Sequence, residues 1–245
     1  MITSVKNEMV KEWRKLKQKK ERDRQEKFMI EGFHLIEEAH KSEWEIVALI
    51  HEEHIEIEKS LLQYPLYTVS DNVMAAITET KTPQGIAAVV KKRNVQDSLS
   101  NKALLIDEVQ DPGNVGTMIR TADAAGFDTV ILGKGTVDLY NDKVIRATQG
   151  SIFHLNIMQA DLIKEMEKLQ ANGIPIWSTG LAQAKPYQQV EKPDRIAIVV
   201  GNEGAGVSKE IMDKASENVV IPIHGKAESL NVSVAAAILM YYVVG

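Results

Sequence analysis

The second half of the chain is a regular alternation of short apolar runs and helical segments. From Ala103 onward, runs rich in aliphatic and β-branched residues recur at "ALLI", "TVIL", "IPIW", "IAIVV" and "NVVI". Segments with helical periodicity stand between these runs, and two of them end at Gly126 and Gly150. Strands that alternate with helices favour a parallel sheet covered on both faces. The sequence therefore predicts an α/β domain that binds its ligands beyond the carboxyl ends of the strands.

A smaller α/β unit precedes this domain. Its periodicity predicts a helix and two strands, at Phe33 to Ala39, Glu45 to Ile50 and Leu66 to Val69. Pro83 and Gly85 then predict a turn ahead of a further β-branched run. The stretch from 91 to 101 has almost no large apolar side chain, which is typical of a linker. We therefore expect two domains, residues 1–95 and 96–245.

Charge is unevenly distributed along the chain. The 245 residues have a formal net charge of −5, yet residues 1–27 hold ten Lys and Arg against five Asp and Glu. A basic arm on an acidic body suits a protein that grips nucleic-acid phosphates locally. An amphipathic helix with Met9, Trp13 and Leu16 on its apolar face explains the same residues equally well. Both interpretations stay open at this point.

The composition also limits the cellular context and the chemistry. Cysteine is absent, which excludes disulfides, thiolate catalysis and cysteine metal sites. The N-terminal stretch is charged and lacks the apolar core of a signal peptide. The most apolar segment, at the C-terminal end, is too short to cross a bilayer unaided. We expect a cytoplasmic protein with no membrane partner.

Three loops that follow predicted strands carry clustered polar residues. They are "DEVQDPGNVGTMIR" with Asn114 and Arg120, "VVGNEGAGVS" with Glu203, and "IPIHGKAESLNVS" with Ser229 and Asn231. The last loop opens a helix that is apolar on nearly every face, and a helix cap needs only one of its polar residues. Backbone groups with one arginine, one glutamate, two asparagines and a serine suit a site that binds a polar cofactor and orients a hydroxyl or a phosphate.

The sequence lacks the familiar motifs of other cofactor sites. The spacing of a dinucleotide fingerprint, of a P-loop and of a hydrolase nucleophile elbow is missing. Residues 51–58, "HEEHIEIE", could offer two imidazoles to a metal, but without a third ligand an exposed polar segment is the better interpretation. We therefore predict no metal site.

The three loops closely resemble the SpoU family, the ribose-methylating branch of the SPOUT class of RNA methyltransferases. The matching stretches are "DPGNVGTMIRTADAAG", "IVVGNEGAGVS" and "IPIHGKAESLNVSVAAAI", in the order and at the spacing of the family. The N-terminal part, with "FMIEGFHLIEEA" and "TPQGIAAVV", is similar to the ribosomal-protein-like substrate-binding module often fused ahead of the catalytic domain.

The resemblance implies an enzyme that methylates a ribose 2′-hydroxyl of RNA, with ribosomal RNA favoured over transfer RNA. It implies S-adenosylmethionine as the methyl donor and a C-terminal α/β-knot domain, in which the chain forms a deep trefoil knot, preceded by a small α/β RNA-binding domain. It also implies a homodimer that completes each site through the C-terminal domain. Departures from the family pattern, such as Val207 where leucine is common, concern packing more than chemistry.

The resemblance also assigns roles to individual residues. The expected catalytic residues are Asn114, Arg120, Glu203, Ser229 and Asn231. The expected contacts of the methyl donor are Thr179, Gly180, Gly201, Ile221 and Leu230. Arg120 activates the hydroxyl, either as a base or, since a guanidinium stays protonated near neutrality, by stabilising developing alkoxide charge. Arg146 is as plausibly a partner in a helix-surface ion pair, so we leave it off the catalytic residues.

Two other functions compete with this interpretation. The first is a non-catalytic RNA-binding protein that kept the fold, although a pure binder has no need of the five polar residues together. The second is a dinucleotide-dependent enzyme, which the missing glycine fingerprint disfavours.

Overall fold

The computed structural model describes residues 1–93, 100–180 and 184–245. Its helices are α1 (Glu8–Lys15), α2 (Lys19–Gln25), α3 (Phe33–Lys41), α4 (Asp71–Ile77), α5 (Pro112–Ala124), α6 (Asp142–Thr148), α7 (Leu162–Ala171), α8 (Lys209–Lys214) and α9 (Val232–Val244). Its strands are β1 (Lys27–Glu31), β2 (Ile46–Glu52), β3 (Leu66–Val69), β4 (Ile86–Lys91), β5 (Lys102–Ile106), β6 (Thr129–Leu132), β7 (Asn156–Gln159), β8 (Ile176–Thr179), β9 (Lys185–Pro186), β10 (Ile196–Val200) and β11 (Glu217–Val220).

The chain folds into two compact units. The first comprises the described residues of Met1–Asn94 together with Asp138–Phe153, and the second those of Val95–Val137 and His154–Gly245. Most of the predicted linker, residues 94–99, lies outside the described part of the chain. Within the described part, no helix has both the length and the apolar character needed to span a bilayer.

The first unit is built on a four-stranded mixed sheet with the order β1-β4-β2-β3. β4 pairs antiparallel with β1 and with β2, while β2 and β3 run parallel. The predicted elements correspond to α3, β2, β3 and β4. β1 and α4 were not predicted, because each is short.

Residues 1–27 are packed onto this unit. Val10 and Trp13 of α1 are buried in one cluster with Val73 and Met74 of α4. Met9 is 37% exposed, so its place in the predicted apolar face was wrong. Val10 is buried in its place, because on a helix positions 9 and 10 are both spaced to share a face with position 13 and only packing decides between them.

Many of the cations in residues 1–27 are paired within the segment itself. Ion pairs spaced i,i+3 or i,i+4 join neighbouring side chains on the helices, as Lys11–Glu8, Lys15–Glu12, Lys19–Asp23 and Arg24–Glu21. The amphipathic-helix interpretation therefore describes α1 better than a free basic arm does.

The segment Asp138–Phe153 belongs to the first unit although it lies among the motifs of the second half. The indole N–H of Trp44 donates to the carbonyl of Phe153 at 3.1 Å, and their rings meet edge to face at 5.2 Å. The ring of Tyr140 lies 4.6 Å from that of Phe28. Arg146 donates to Asp142 one turn earlier on α6, which is the helix-surface ion pair considered above.

The second unit is a seven-stranded parallel sheet with the order β7-β6-β5-β10-β8-β11-β9. Its central strands are fully buried, as the continuous apolar sequences of β5 and β10 require. The predicted parallel α/β architecture is confirmed. The edge strands β7 and β9 were not predicted, because β7 reads "NIMQ" with two apolar residues and β9 has only two residues.

Candidate active site

The three polar loops meet at the carboxyl ends of the strands of the parallel sheet. β5, β10, β8 and β11 are consecutive neighbours and run in the same direction. Their carboxyl ends therefore lie side by side, and the chain leaves them at Asp107, Gly201, Gly180 and Ile221. Parallel α/β sheets bind their ligands at these carboxyl ends.

The carboxylate of Glu203 binds the loop that follows β5. Its Oε1 accepts from the backbone N–H of Asp111 at 3.2 Å and from Nδ2 of Asn114 at 3.1 Å, and its Oε2 accepts from the N–H of Gln110 at 3.4 Å. Glu203 follows β10, so these bonds join two strand exits. All three bonds are made to groups of the protein itself, and the bond from Nδ2 fixes the side chain of Asn114.

These contacts keep Glu203 ionised. Partial burial by itself raises the pKa of this carboxyl, but the hydrogen bonds from Asn114 and from the backbone N–H groups outweigh it, and the pKa lies below its ordinary value. Glu203 is therefore an anion that only accepts hydrogen bonds at neutral pH, which fixes Asn114 with its amide nitrogen toward Glu203.

Asn114 extends this chain of hydrogen bonds to the start of α9. Its Oδ1 accepts from Nδ2 of Asn231 at 3.0 Å. Oδ1 of Asn231 in turn accepts from the N–H of Ser233 at 2.9 Å and of Val234 at 3.3 Å, and so caps α9. Asn231 thus both caps the helix and ties it to the loop after β5, which explains why so apolar a helix begins with polar residues.

Sequence reasoning missed two residues that hold these loops in place. Asn202 accepts at Oδ1 from the N–H of Gly204 at 2.9 Å and donates from Nδ2 to the carbonyl of Glu108 at 2.9 Å. The buried carboxylate of Asp107 accepts from the N–H of Ser208 at 3.0 Å. Both tie the exit of β10 to the exit of β5. Their only sequence signal was their position directly after a buried strand.

A third missed residue, Asp111, orients the start of α5. Its Oδ1 accepts from the N–H of Asn114 at 2.8 Å, as the N-cap of the helix, with Pro112 in the first turn. Asp before Pro-Gly is a recognisable start signal for a helix. Asn114 is therefore held at its backbone by Asp111 and at its side chain by Glu203 and Asn231.

Two predicted catalytic residues stand outside this chain of hydrogen bonds. Arg120 is exposed, and it lies six residues after Asn114 on α5, about 9 Å along the axis and about a third of a turn from its face. Ser229 is also exposed. Within the described residues, neither side chain has a hydrogen bond or an ion pair. Within one copy of the chain, hydrogen bonds connect Glu203, Asn114 and Asn231, and Arg120 makes no hydrogen bond to any of them.

Four of the five predicted donor contacts lie at the ends of three adjacent strands, and the fifth, Leu230, directly precedes the N-cap of α9. Thr179 Oγ1 donates to the carbonyl of Val199 at 3.2 Å, and the N–H of Gly180 donates to the carbonyl of Val219 at 3.1 Å. Ile221 is half-buried and Leu230 is 37% exposed. Apolar side chains that remain partly uncovered beside strand-end backbone fit an adenosyl group with a sulfonium.

Gly201 has a structural reason to be glycine. A Cβ at this position would lie 2.2 Å from the carbonyl carbon of Gly206, where Asn202 and Gly206 exchange backbone hydrogen bonds of 3.0 and 2.9 Å. The residue therefore allows the loop after β10 to close on itself.

The described residues contain no group of three or more His, Cys, Asp and Glu that could hold a metal ion. The imidazole of His51 contacts the carbonyl of Glu52 at 2.9 Å and Oγ1 of Thr68 at 3.3 Å. His51 thus bonds within the sheet of the first unit.

The family model of the SpoU rRNA methylases matches residues 101–241. The chain belongs to the SpoU family. That match contains all five predicted catalytic residues, whose motifs the site geometry brings to one sheet edge. A second model, of the MRM3-like substrate binding domain, matches residues 7–88. The SpoU resemblance seen in the sequence, including a substrate-binding domain ahead of the methylase domain, is confirmed.

Individual members of the SpoU family are similar over the full length. The 23S rRNA (guanosine(2553)-2'-O)-methyltransferase RlmP of Bacillus subtilis is 46% identical over 245 residues, which cover 100% of this chain and 99% of the relative. The crystal structure of an AdoMet-bound rRNA methyltransferase from Sinorhizobium meliloti has a TM-score of 0.89 and 31% identity, and the match covers 98% of this chain and 95% of that one. The SpoU methyltransferase AviRb from Streptomyces viridochromogenes, at 24% identity and a TM-score of 0.87, shares the fold.

Proposed function

We propose that this protein transfers a methyl group from S-adenosylmethionine to a ribose 2′-hydroxyl of ribosomal RNA. The observation that carries the proposal is the chain Glu203–Asn114–Asn231, which ties three family motifs together at the strand exits. Family membership and 46% identity to a 23S rRNA 2′-O-methyltransferase over the full length support the reaction and the substrate. The guanosine equivalent to the one modified by that relative is the proposed target.

The donor would be held by Thr179, Gly180, Gly201, Ile221 and Leu230. When bound, S-adenosylmethionine supplies a methyl group on a sulfonium, whose positive charge disappears as the methyl leaves. A site with apolar walls favours that loss of charge. Leu230, which is 37% exposed, gives this chain an apolar wall beside the strand ends.

Arg120 would act on the acceptor side. The hydroxyl oxygen forms a bond to the methyl carbon as the bond between that carbon and sulfur breaks, and its proton passes to solvent water, so negative charge develops on the oxygen in the transition state. A guanidinium keeps its proton near neutrality, so Arg120 suits electrostatic stabilisation of that charge better than it suits proton removal. Ser229 would hydrogen-bond the ribose, since its hydroxyl has no partner among the described residues.

We further propose a homodimer through the C-terminal domain, in which a second copy brings its Arg120 to the Asn114 of the first. The exposed position of Arg120, away from the face of α5 that carries Asn114, supports this arrangement. α9 also leaves apolar side chains uncovered, with Val234 47% and Tyr241 53% exposed. Burying such a face between two copies is a common route to a symmetric dimer.

The remaining features follow from the family. We propose that residues 1–95 recognise the RNA and residues 96–245 catalyse the transfer, that the C-terminal segment forms a trefoil knot, and that the protein works in the cytoplasm. The match of residues 7–88 to a substrate binding domain supports the first assignment.

Methyl transfer from a radiolabelled donor tests the function directly. The full-length protein is incubated with 23S ribosomal RNA or with transfer RNA, and the product is mapped for ribose methylation. We expect label at one 2′-oxygen of ribosomal RNA, and loss of that mark in cells that lack the protein. Label on transfer RNA alone would assign the other substrate class, and donor binding without transfer to any RNA would favour a non-catalytic RNA-binding protein.

A further inference from the structure

The first unit contains a cavity that the site described above does not use. Its volume is about 210 Å³. Its wall includes apolar and polar side chains from α1, α2 and the turn between them, from β1 and α4, and from the segment 138–153, among them Trp13, Leu16, Arg22, Ile30, Ile77 and Tyr140. Trp13 and Ile77 are buried, while Lys17 and Glu79 of the wall are exposed. The cavity therefore runs from an exposed ion pair into the apolar interior.

Three ion pairs lie around the cavity: Lys17 with Glu79 at 3.6 Å, Arg146 with Asp142, and Arg22 with Asp138. Glu31, the remaining carboxylate of the wall, has no cation among the described residues, and it accepts from Oγ1 of Thr80 at 2.6 Å and from the N–H of Gln84 at 3.1 Å. A phosphate would need surplus cations, and a divalent cation would need several free carboxylates, which the described residues of the wall do not offer. The wall suits a ligand that is polar and uncharged.

The donors of the wall that have no acceptor within the described residues include Nε of Arg22 and the hydroxyl of Tyr140. Nε of Arg22 is buried without a partner, although the two terminal nitrogens of its guanidinium are bonded to carbonyls and to Asp138. The hydroxyl of Tyr140 has no hydrogen bond. Burial, with help from Asp138, raises the pKa of Tyr140 to about 12, so the phenol keeps its proton at neutral pH. A buried donor without an acceptor, such as Nε of Arg22, is costly, and a ligand with acceptor atoms would remove that cost.

The volume of the cavity and the side chains of its wall limit further which ligands can fit. Pockets for drug-sized molecules occupy about 300–1,000 Å³, so a cavity of 210 Å³ suits a single small ring system. The indole of Trp13 and the aliphatic side chains form the apolar part of the wall. Proteins recognise unpaired RNA bases by stacking them on aromatic side chains and bonding their polar edges.

We propose that this cavity binds the base of an unpaired RNA nucleotide, with Tyr140 as a donor to the base. The inference rests on the proposed function, which makes RNA the substrate. Its residues come from both family matches, since Trp13 and Ile77 lie within residues 7–88 and Tyr140 lies within 101–241. The base pocket would fix a nucleotide that is not itself methylated.

Nucleotide titration of the isotope-labelled full-length protein tests the pocket. The probes are AMP, GMP, CMP, UMP and ribose 5-phosphate, and the signals are the indole N–H of Trp13 and the methyl groups of Ile30 and Ile77. We expect saturable shifts with at least one nucleotide and none with ribose 5-phosphate, which lacks a base. Equal shifts with ribose 5-phosphate, or no shifts with any nucleotide, would overturn the base pocket.

Tyr140→Phe removes the free hydroxyl and keeps the ring beside Phe28. The loss of one neutral hydrogen bond should weaken binding of the preferred nucleotide about three- to tenfold. Tyr64→Phe is the matched control, because it also removes a hydroxyl from the first unit, one that bonds His40 and does not line the cavity. Tyr64→Phe should bind like the wild type. Equal affinity for Tyr140→Phe and the wild type would contradict the assignment of Tyr140.

RNA methylation by the same preparations separates this inference from the proposed function. In Tyr140→Phe we expect a raised KM for RNA with an unchanged kcat, because the pocket binds away from the reacting atoms. RNA methylation by the wild-type protein, with no nucleotide shifting the signals of the cavity residues, would reject the pocket alone. Nucleotide binding in the cavity by a protein that methylates no RNA would reject the proposed function and leave the pocket standing.

Discussion

Asn114 is the residue on which the candidate active site converges. Its amide donates to Glu203 and accepts from Asn231, so one side chain links the loops after β5 and β10 to the start of α9. An amide can do this because it carries a donor and an acceptor at one end, whereas a carboxylate only accepts.

Asn114→Ala should therefore lower kcat strongly and leave donor affinity almost unchanged. We expect a fall of about 10²-fold or more, the usual cost of losing one preorganised polar group at a reaction centre. Single-turnover methylation and calorimetry with S-adenosylmethionine measure the two quantities. Gln110→Ala is the control, since Gln110 contributes only its backbone N–H to Glu203. A fall in Gln110→Ala as large as that in Asn114→Ala would contradict the role of Asn114.

Arg120→Ala should reduce turnover by about 10²- to 10³-fold, because the transition state loses its fixed cation. Donor binding should stay near the wild-type value, and Arg120→Lys should recover part of the activity. Lys164→Ala removes an exposed cation from α7 as a control and should change neither quantity. Full activity in Arg120→Ala would remove Arg120 from the reaction.

Glu203 should also give stability a defined pH dependence. Its pKa is lower in the folded state than in the unfolded state, so its contribution to the free energy of unfolding is present above the unfolded pKa and is lost as the pH falls through the folded pKa. Chemical denaturation of the wild type and Glu203→Gln between acid and neutral pH isolates this effect. The free energy of unfolding of the wild type should increase relative to that of the variant as the pH rises. A difference between the two that stays constant with pH would count against the carboxylate contacts.

At the scale of helices and strands, periodicity predicted the central parallel strands and the helices between them. Continuous apolar runs such as β10 leave no alternative to burial on both faces, so they are visible in sequence. The edge strand β7 was not visible in the sequence because it has only two apolar residues, and α4 was not visible because it is only seven residues long. The polar residues just before α9 were predicted to belong to the site, but the hydrogen bond from Asn231 to Asn114 could not be predicted from the sequence.

α1 makes the clearest prediction at this scale. Trp13→Ala should destabilise the protein by about 3–5 kcal/mol, because the indole is 7% exposed and packs in the core of the first unit. Met9→Ala, on the same helix, should change the free energy of unfolding by no more than about 0.5 kcal/mol. Denaturant titration compares them. Similar losses in both variants would mean that α1 packs through the face first expected from its sequence.

The same packing changes what a truncation can report. Removing residues 1–27 deletes Val10, Trp13 and Leu16 from a buried cluster. The truncated protein should therefore lose stability, and weaker RNA binding would not by itself identify a basic arm. Single charge reversals at the exposed Lys6 and Lys20 probe phosphate contacts without disturbing the core.

For the whole molecule, mixing two inactive variants tests whether the reaction site is shared between copies. If the second copy supplies Arg120, a dimer of Arg120→Ala with Asn114→Ala has one complete site and one doubly damaged site. Random exchange of subunits should then restore about a quarter of wild-type activity. A mixture that stays inactive after verified exchange would mean that Arg120 serves the site of its own chain.

The segment Asp138–Phe153 has a consequence for how such proteins diversify. Phe153 and Tyr140 supply neighbours to Trp44 and Phe28, so the first unit is encoded by two separate stretches of the gene. A recombination event that replaced only the first stretch would leave those aromatic rings against foreign partners. We expect the two stretches to be inherited together, and engineered chimaeras that exchange both to fold where exchanges of the first alone do not.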